Sequence, residues 1–393
     1  MRYRTAIYLM VLILSAGALL LAQEVQKAIG RPTVNRPERI SFQPSLVQRL
    51  KVPSGFQINI FATKMGEPRM MAIGPDGSVY VTRPEQGDVV RLIDKNRDGK
   101  SDGMTTIASG IKLVHGILIH QGKLYLAGVN EVYVADLNGK NMQKLISDLP
   151  DGGQHPNRTI GIGPDNQLYI SIGSTCNDCS ESNPEHATIL RTGLNGGKRQ
   201  IFAKGLRNTI GFDWHPKTGE FWGMDHGSDG RGDNQPQEEL NRLQQGADYG
   251  WPYCFGKKHP DPITKAPKGT TKEAFCRNTM PLALGYQAHS APIEMIFYEA
   301  NHFPEDYRGD AFVAMHGSWN RETPVGYKVA RIRFENGKPQ AFEDFLTGFY
   351  IGKRGQFGRP AGLAVKDGAL LISDDENGVI YRVTYAPKTA SRQ

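Results

Sequence analysis

The residues best equipped for chemistry in this chain are a histidine and several arginines, each far from the others in sequence. "DGGQHPNRTIGIGPD" carries His155 and Arg158, and "GLRNTIGFDWHP" carries Arg207 and Asn208. "HGSWNRETP" supplies Arg321, and "GQFGRPAGLAV" supplies Arg359. A histidine with its ordinary pKa of about 6.5 can take a proton from a hydroxyl near neutrality. Arginines around such a base would form a pocket for an anionic ligand through charged, forked hydrogen bonds. Taken singly, each is an ordinary loop residue; the chemistry requires that they meet.

Two acidic stretches offer metal chemistry instead. "DHGSDGRGDNQPQEELN" contains Asp225, Glu238 and Glu239, carboxylates that would suit a calcium-dependent hydrolase such as a lactonase if they converged on one ion. "DKNRDGKSDG" sets Asp94, Asn96, Asp98 and Asp102 at positions 1, 3, 5 and 9 of an EF-hand-like loop, with Gly99 at the sharp turn. Thr105 stands where that loop needs a bidentate glutamate, so calcium would bind modestly and stiffen a turn.

The elements that must position these residues repeat along the chain. "GPDNQLYISIG" (163–173) is a Gly-Pro-Asp-Asn turn followed by a short apolar strand. Similar units are "GPDGSVYVT", "QGKLYLAG", "KTGEFWGMD", "RGDAFVAMHG" and "KDGALLISDD". Between equivalent residues Tyr80, Tyr125, Tyr169, Trp222, Phe312 and Leu371 the intervals are 45, 44, 53, 90 and 59. A period of roughly 40–50 residues with several strands each indicates propeller blades. The expectation is an all-β fold, a six-bladed β-propeller with elaborated loops, in preference to a β-sandwich. The long interval is read as an excursion rather than a degenerate seventh blade. "GFQINIFA" (55–62) is expected to open the first blade, and the proline-bearing residues 23–50 to form an extended lead-in to a domain over 51–386. Blades are related by rotation, so their inter-strand loops converge at the mouth of the axis, and the candidate residues lie in such loops.

Residues 1–22 start basic (Arg2, Arg4) and continue with an apolar run from Ala6 to Ala22, a signal-peptide pattern in which retention as an anchor stays open. The expected location is periplasmic or extracellular. The net charge of +7 falls to +5 without Arg2 and Arg4, and it is scattered, unlike the footprint of a nucleic-acid binder. Four cysteines in an exported chain point to disulfides, the local pairings Cys176–Cys179 and Cys254–Cys276 being the simplest of three connectivities. The CxxC follows a strand and is read as a staple rather than a redox centre.

The order of these motifs, through "GADYGWP", resembles the soluble quinoprotein glucose and sorbosone dehydrogenases over about residues 55–383, most strongly over 150–255. That resemblance implies a six-bladed propeller using pyrroloquinoline quinone (PQQ) and calcium to oxidise a sugar-like substrate. Electrons would pass to an external acceptor, a cytochrome or a quinone. It implies that His155 is the general base, with hydride passing to the quinone C5, and that Arg207 stabilises the charge developing on the C5 oxygen. Asn208, Arg321, Arg359 and His115 become cofactor-binding candidates, and Gly227 and Ser228 become carbonyl ligands of the calcium. Thr209-Ile210 replaces the Pro-Gln of the glucose-oxidising members, and Trp319-Asn320-Arg321 replaces their Lys-Arg pair. Both changes point to the sorbosone branch. A non-catalytic binding propeller would show an apolar or blocked channel, with Ile210 as its mark.

Overall fold

In the repeated turns, glycine is dictated by close approach. A Cβ on Gly163 would lie 2.7 Å from both the Tyr169 ring and the Asp165 carboxylate, and one on Gly74 would meet Tyr80 and Asp76 at 2.9 Å. Each Gly-Pro-Asp turn therefore packs its aspartate and the tyrosine of the following strand on one bare backbone. Leu168–Ile172 is buried at all five positions, as a strand covered on both faces must be.

The structure, a computed structural model, describes residues 33–386, so the leader assigned to residues 1–22 lies outside the described residues. Six four-stranded antiparallel sheets form the molecule. Their innermost strands are Met71–Ile73, Gly116–His120, Ile160–Ile162, Thr209–Trp214, Pro292–Phe297 and Pro360–Lys366. Contacts between neighbouring blades run around the ring and close it between the first blade and the last, as the repeat pattern predicts.

One expectation is corrected. Phe56–Ala62 does not open the first blade; it is the outermost strand of the sixth, antiparallel to Val379–Tyr385 with Phe56 opposite Tyr385. Closing a ring removes its weak point by mixing strands from both ends of the chain in one sheet. Phe56 anchors this closure, its ring 4.8–5.1 Å from those of Phe303, Tyr307, Phe345 and Tyr385.

The long interval is an excursion within the fourth blade, as expected. It contains a small hairpin (Cys254–Phe255 with His259–Pro260) and the helix Lys272–Arg277, tied by Cys254–Cys276. Thr271 caps the helix by accepting a bond from Ala274 N. The lead-in is extended up to a 3-10 turn at Pro44–Arg49, and it crosses the last two blades through Asn35 N to Trp319 O and Ile40 N to Gln356 O.

Met70, Ile117, Ile210, Ile293 and Ala361 share one buried cluster, contributed from the inner strands of five blades or the residue just before one. The inner strands of these blades thus meet through apolar side chains.

Candidate functional site

His155 lies on the segment 150–158, ahead of the third blade's inner strand. Arg158 holds that segment: it is fully buried, and its guanidinium donates to the carbonyls of Val129, Pro150, Asp151, His155 and Asn157 at 2.8–3.3 Å. Its donors are spent on backbone, which corrects the expectation that it belongs to an anion pocket. His155 Nδ1 lies 2.8 Å from Ser174 O, so Nδ1 carries the proton and Nε2 keeps its lone pair. Burial, then the adjacent Arg207 guanidinium, pushes the imidazole pKa down to about 4. The ring is a neutral acceptor at pH 7.

Ser174 joins the two principal candidates, because its N–H also donates to Arg207 O (2.8 Å). A Cβ on Gly173 would fall 2.5 Å from His155 Cβ and 2.8 Å from Asn208 Oδ1, which puts Asn208 beside the same backbone. Beneath them Asp225 accepts from Arg207 N, Asn208 N and Thr209 Oγ1 at 2.8–3.0 Å. The polar Thr209 thereby serves the loop, while Ile210 packs in the buried apolar cluster of the inner strands.

Arg207 is buried and donates through Nε to Asn177 O (3.0 Å) and through Nη2 to Asn177 Oδ1 (2.9 Å) and Asp229 Oδ2 (3.1 Å). Asn177 O also receives Ser228 Oγ (3.1 Å) and Trp251 Nε1 (3.3 Å). His155, Arg207, Asn208, Gly227 and Ser228 are therefore drawn into one neighbourhood. Among the described residues the carbonyls of Gly227 and Ser228 accept no protein hydrogen bond, leaving two adjacent oxygen ligands free.

The rest of the rim comes from the fifth and sixth blades. Arg359 donates to His316 O (3.1 Å) and Gly317 O (2.9 Å), and its guanidinium stands over the Tyr327 ring beside a 390 Å³ groove that Trp319 also lines. His316 Nε2 donates to Asp375 Oδ1 at 2.8 Å, and Arg69 pairs with the same carboxylate. Burial opposes its ionisation, but His316, Arg69 and Arg359 hold the Asp375 carboxyl well below the usual range. His115 is fully buried near this group, its pKa pushed well down by burial, with Nδ1 3.5 Å from Thr159 Oγ1 and Nε2 unpartnered. Arg321 turns onto Asp233 O and Asn234 Oδ1; its neighbour Asn320 instead reaches Asp229 Oδ1 (2.6 Å).

The competing metal readings find less support. Asp225, Glu238 and Glu239 are buried and occupied by backbone N–H groups, Glu238 by Gly227 N and Ala291 N and Glu239 by Gly256 N. Burial raises Glu238 to about 8 and Glu239 to about 7. In the Asp94–Asp102 loop, Asp94 receives Gly99 N, Asn96 receives Asp98 N, Asp98 receives Lys100 N and Asp102 receives Lys95 N. The carboxylates of Asp94, Asp98 and Asp102 are not gathered within 4.8 Å of one another. Sequence reasoning missed Asn177, Asp229, His316, Arg69 and Asp375. Asp229, His316 and Asp375 lie within stretches already quoted and Asn177 inside the CxxC, whereas Arg69 carried no signal.

The chain has relatives among known proteins. An uncharacterized protein of Borreliella burgdorferi is 33% identical over 86% of this chain and 92% of its own length. The pyrroloquinoline quinone-dependent pyranose dehydrogenase of Coprinopsis cinerea is 23% identical over 85% of this chain, which spans only 54% of that protein. The calcium structure of a Trichoderma reesei enzyme of carbohydrate-active family AA12 superposes with a TM-score of 0.74 at 22% identity, covering 90% of this chain and all of that one. The TrAA12-like family model matches residues 50–386, and the chain belongs to the TrAA12-like family.

Proposed function

We propose that this protein is an oxidoreductase that uses PQQ and calcium to oxidise a sugar or a related alcohol or aldehyde, of aldose or sorbosone type. The observation that carries this reading is the Ser174 link, which sets a neutral histidine with a free Nε2 next to a buried arginine. The names of the relatives support it: one is a PQQ-dependent pyranose dehydrogenase, and the AA12 enzyme was solved with calcium.

The residues present fit both groups. The free carbonyls of Gly227 and Ser228 are hard oxygen ligands of the kind calcium takes. The bare Gly173 backbone lets His155 and Asn208 pack against one stretch of chain, and Arg207 and Arg359 bring positive charge to an anionic ligand. When bound, PQQ supplies the electron acceptor and calcium the Lewis acid that polarises it.

The chain's own work is proton handling and charge stabilisation. Ser174 O fixes the His155 tautomer, so Nε2 is the atom that takes the proton of the hydroxyl borne by the carbon being oxidised, while the hydride of that carbon would go to the bound cofactor. Arg207, whose Nη1 has no protein acceptor among the described residues, directs that arm and its charge toward negative charge that builds up during oxidation. Asn208 and Arg359 orient the cofactor, and electrons leave to an external cytochrome or quinone. Two disulfides favour a periplasmic or extracellular location. Among the described residues no helix is long and apolar enough to cross a membrane.

The test is to load purified apo-protein with PQQ and calcium and measure dye reduction over a panel of sugars. Reduction that His155→Ala abolishes is expected. Lactone cleavage without PQQ, or neither a cofactor spectrum nor any reduction, would overturn the reading.

A further inference from the structure

We propose that Asn177, clasped inside the Cys176–Cys179 bridge, is the positioning residue that sets the distance between the base and the charge-stabilising arginine. The inference rests on the roles given above to His155 and Arg207. Its basis is a concentration of bonds on one residue that the site's chemistry does not itself use. Asn177 O accepts from Arg207 Nε, Ser228 Oγ and Trp251 Nε1, while Oδ1 accepts from Arg207 Nη2 and from Asp229 N (2.7 Å). Its Nδ2 donates to Asp229 O (3.1 Å). One residue thus grips two edges of the Arg207 fork and both polar groups of the Asp229 backbone.

The grip is rigid because the turn beneath it is closed. Cys176 and Cys179 are bridged around Asn177-Asp178, and Cys179 N lies 2.9 Å from Cys176 Sγ. Upstream, Ser174 Oγ donates to Cys176 O (2.7 Å) while Ser174 O receives His155 Nδ1. Thr175 is pinned through its N and Oγ1 to Glu181 at 2.6 and 2.8 Å. The tetrapeptide Ser174–Asn177 therefore holds His155 at one end and the Arg207 guanidinium at the other.

The amide chemistry of residue 177 matters as well. Asp229, the only carboxylate on the Arg207 guanidinium among the described residues, is 35% exposed on its side chain, so it neutralises that charge poorly. Asn177 adds neutral acceptors, which orient the fork without cancelling its charge. An aspartate at 177 would keep the acceptor and bring a counter-charge to a buried guanidinium.

The experiment compares Asn177→Ala, Asn177→Asp and Cys176→Ser/Cys179→Ser with the wild-type chain. In the loaded enzyme Asn177→Ala, which removes Oδ1 and Nδ2 but keeps the backbone carbonyl that holds Arg207 Nε, lowers kcat about tenfold, the lower end of the range for groups that orient reacting residues, with KM within about twofold. In the apo-protein the His155 ring, which faces Arg207, Arg158 and Ser174, is followed by NMR titration. Asn177→Asp raises its pKa above the wild-type value, and Asn177→Ala does not raise it to the same extent. The double cysteine variant lowers kcat in the same direction as Asn177→Ala. Wild-type kcat in Asn177→Ala, or a kcat loss accompanied by an equal rise in KM, overturns the inference. So does an unmoved His155 titration in Asn177→Asp. If the wild-type protein neither binds PQQ nor oxidises any sugar, the functional reading fails instead, and the apo-protein titration still decides the positioning claim.

Discussion

Replacing Arg158 with methionine is the sharpest perturbation of the base's support. The substitution keeps an apolar stem of similar length and removes five donated bonds to carbonyls, at 2.8–3.3 Å. Hydrogen bonds from a charged group are each worth about 1.5–3 kcal/mol, but their sum overstates the loss because the buried guanidinium was itself costly to desolvate. A buried acceptor left without its donor costs about 1–3 kcal/mol, and relaxation and hydration of the segment hold the total for the five carbonyls to about 3–5 kcal/mol. At roughly 1.3 °C per kcal/mol for a domain of this size, Arg158→Met should melt about 4–7 °C below wild type. The carbonyls left without a donor lie on the segment that carries His155. Its opening should reduce kcat in the loaded enzyme more than the melting point alone implies, because the imidazole loses its approach to Ser174 and Arg207. Arg158→Lys, with one compact head instead of a fork, should recover only part of the difference. Differential scanning calorimetry and steady-state kinetics measure both effects. A methionine variant that melts within about 2 °C of wild type and keeps its kcat would refute the claim that this arginine holds the segment.

Three further outcomes follow from the same structure. The His155 C2–H resonance in the apo-protein should titrate near pH 4. It should move upward in Arg207→Met, because the lost cation no longer disfavours protonation; a wild-type value at 6.5 would contradict the burial argument. Phe56→Ala should cost about 3–5 kcal/mol in a urea melt, because the ring sits among four aromatic neighbours at the seam of the propeller; a cost under about 1 kcal/mol would mean the seam is closed elsewhere. Removing Cys254 and Cys276 together should cost about 2–4 kcal/mol, with protease cleavage inside 254–276 appearing before global unfolding; uniform resistance would show that the hairpin and helix hold without the bridge.

The blade count was legible because a glycine-containing turn followed by an apolar strand recurs along the chain, with its steric reason visible at Gly74 and Gly163 as a bare backbone under an aspartate and a tyrosine. His155, Arg207 and Asn208 were legible because they sit in loops that rotation brings together. The seam was not, since "GFQINIFA" reads as a strand wherever it pairs, and only the closed ring assigns it to Val379–Tyr385. Arg158 and Arg321 were misjudged for one reason: an arginine in a loop looks the same in sequence whether its donors face a ligand or its own backbone carbonyls. Asn177 was hidden because its value lies in bonds to segments 30 and 52 residues away.

That distinction between arginines also explains the electrostatics of the mouth. A carbonyl satisfies a guanidinium's hydrogen bonds but is a dipole, not a counter-ion, so an arginine held by carbonyls keeps its full charge. Arg158 is held by five of them and Arg359 by two, whereas Arg69 is paired with Asp375. Arg207 rests on a neutral amide and a partly exposed Asp229. The mouth therefore stays positive while its donors are largely used internally, and the histidines register that field. Burial depresses His155 and His316 to about 4 each, with Arg207 adding to the first and Arg359 to the second. On the proposed function, Arg207 and Arg359 would serve affinity for an anionic ligand, and Arg207 the readiness of an unprotonated His155, through one arrangement.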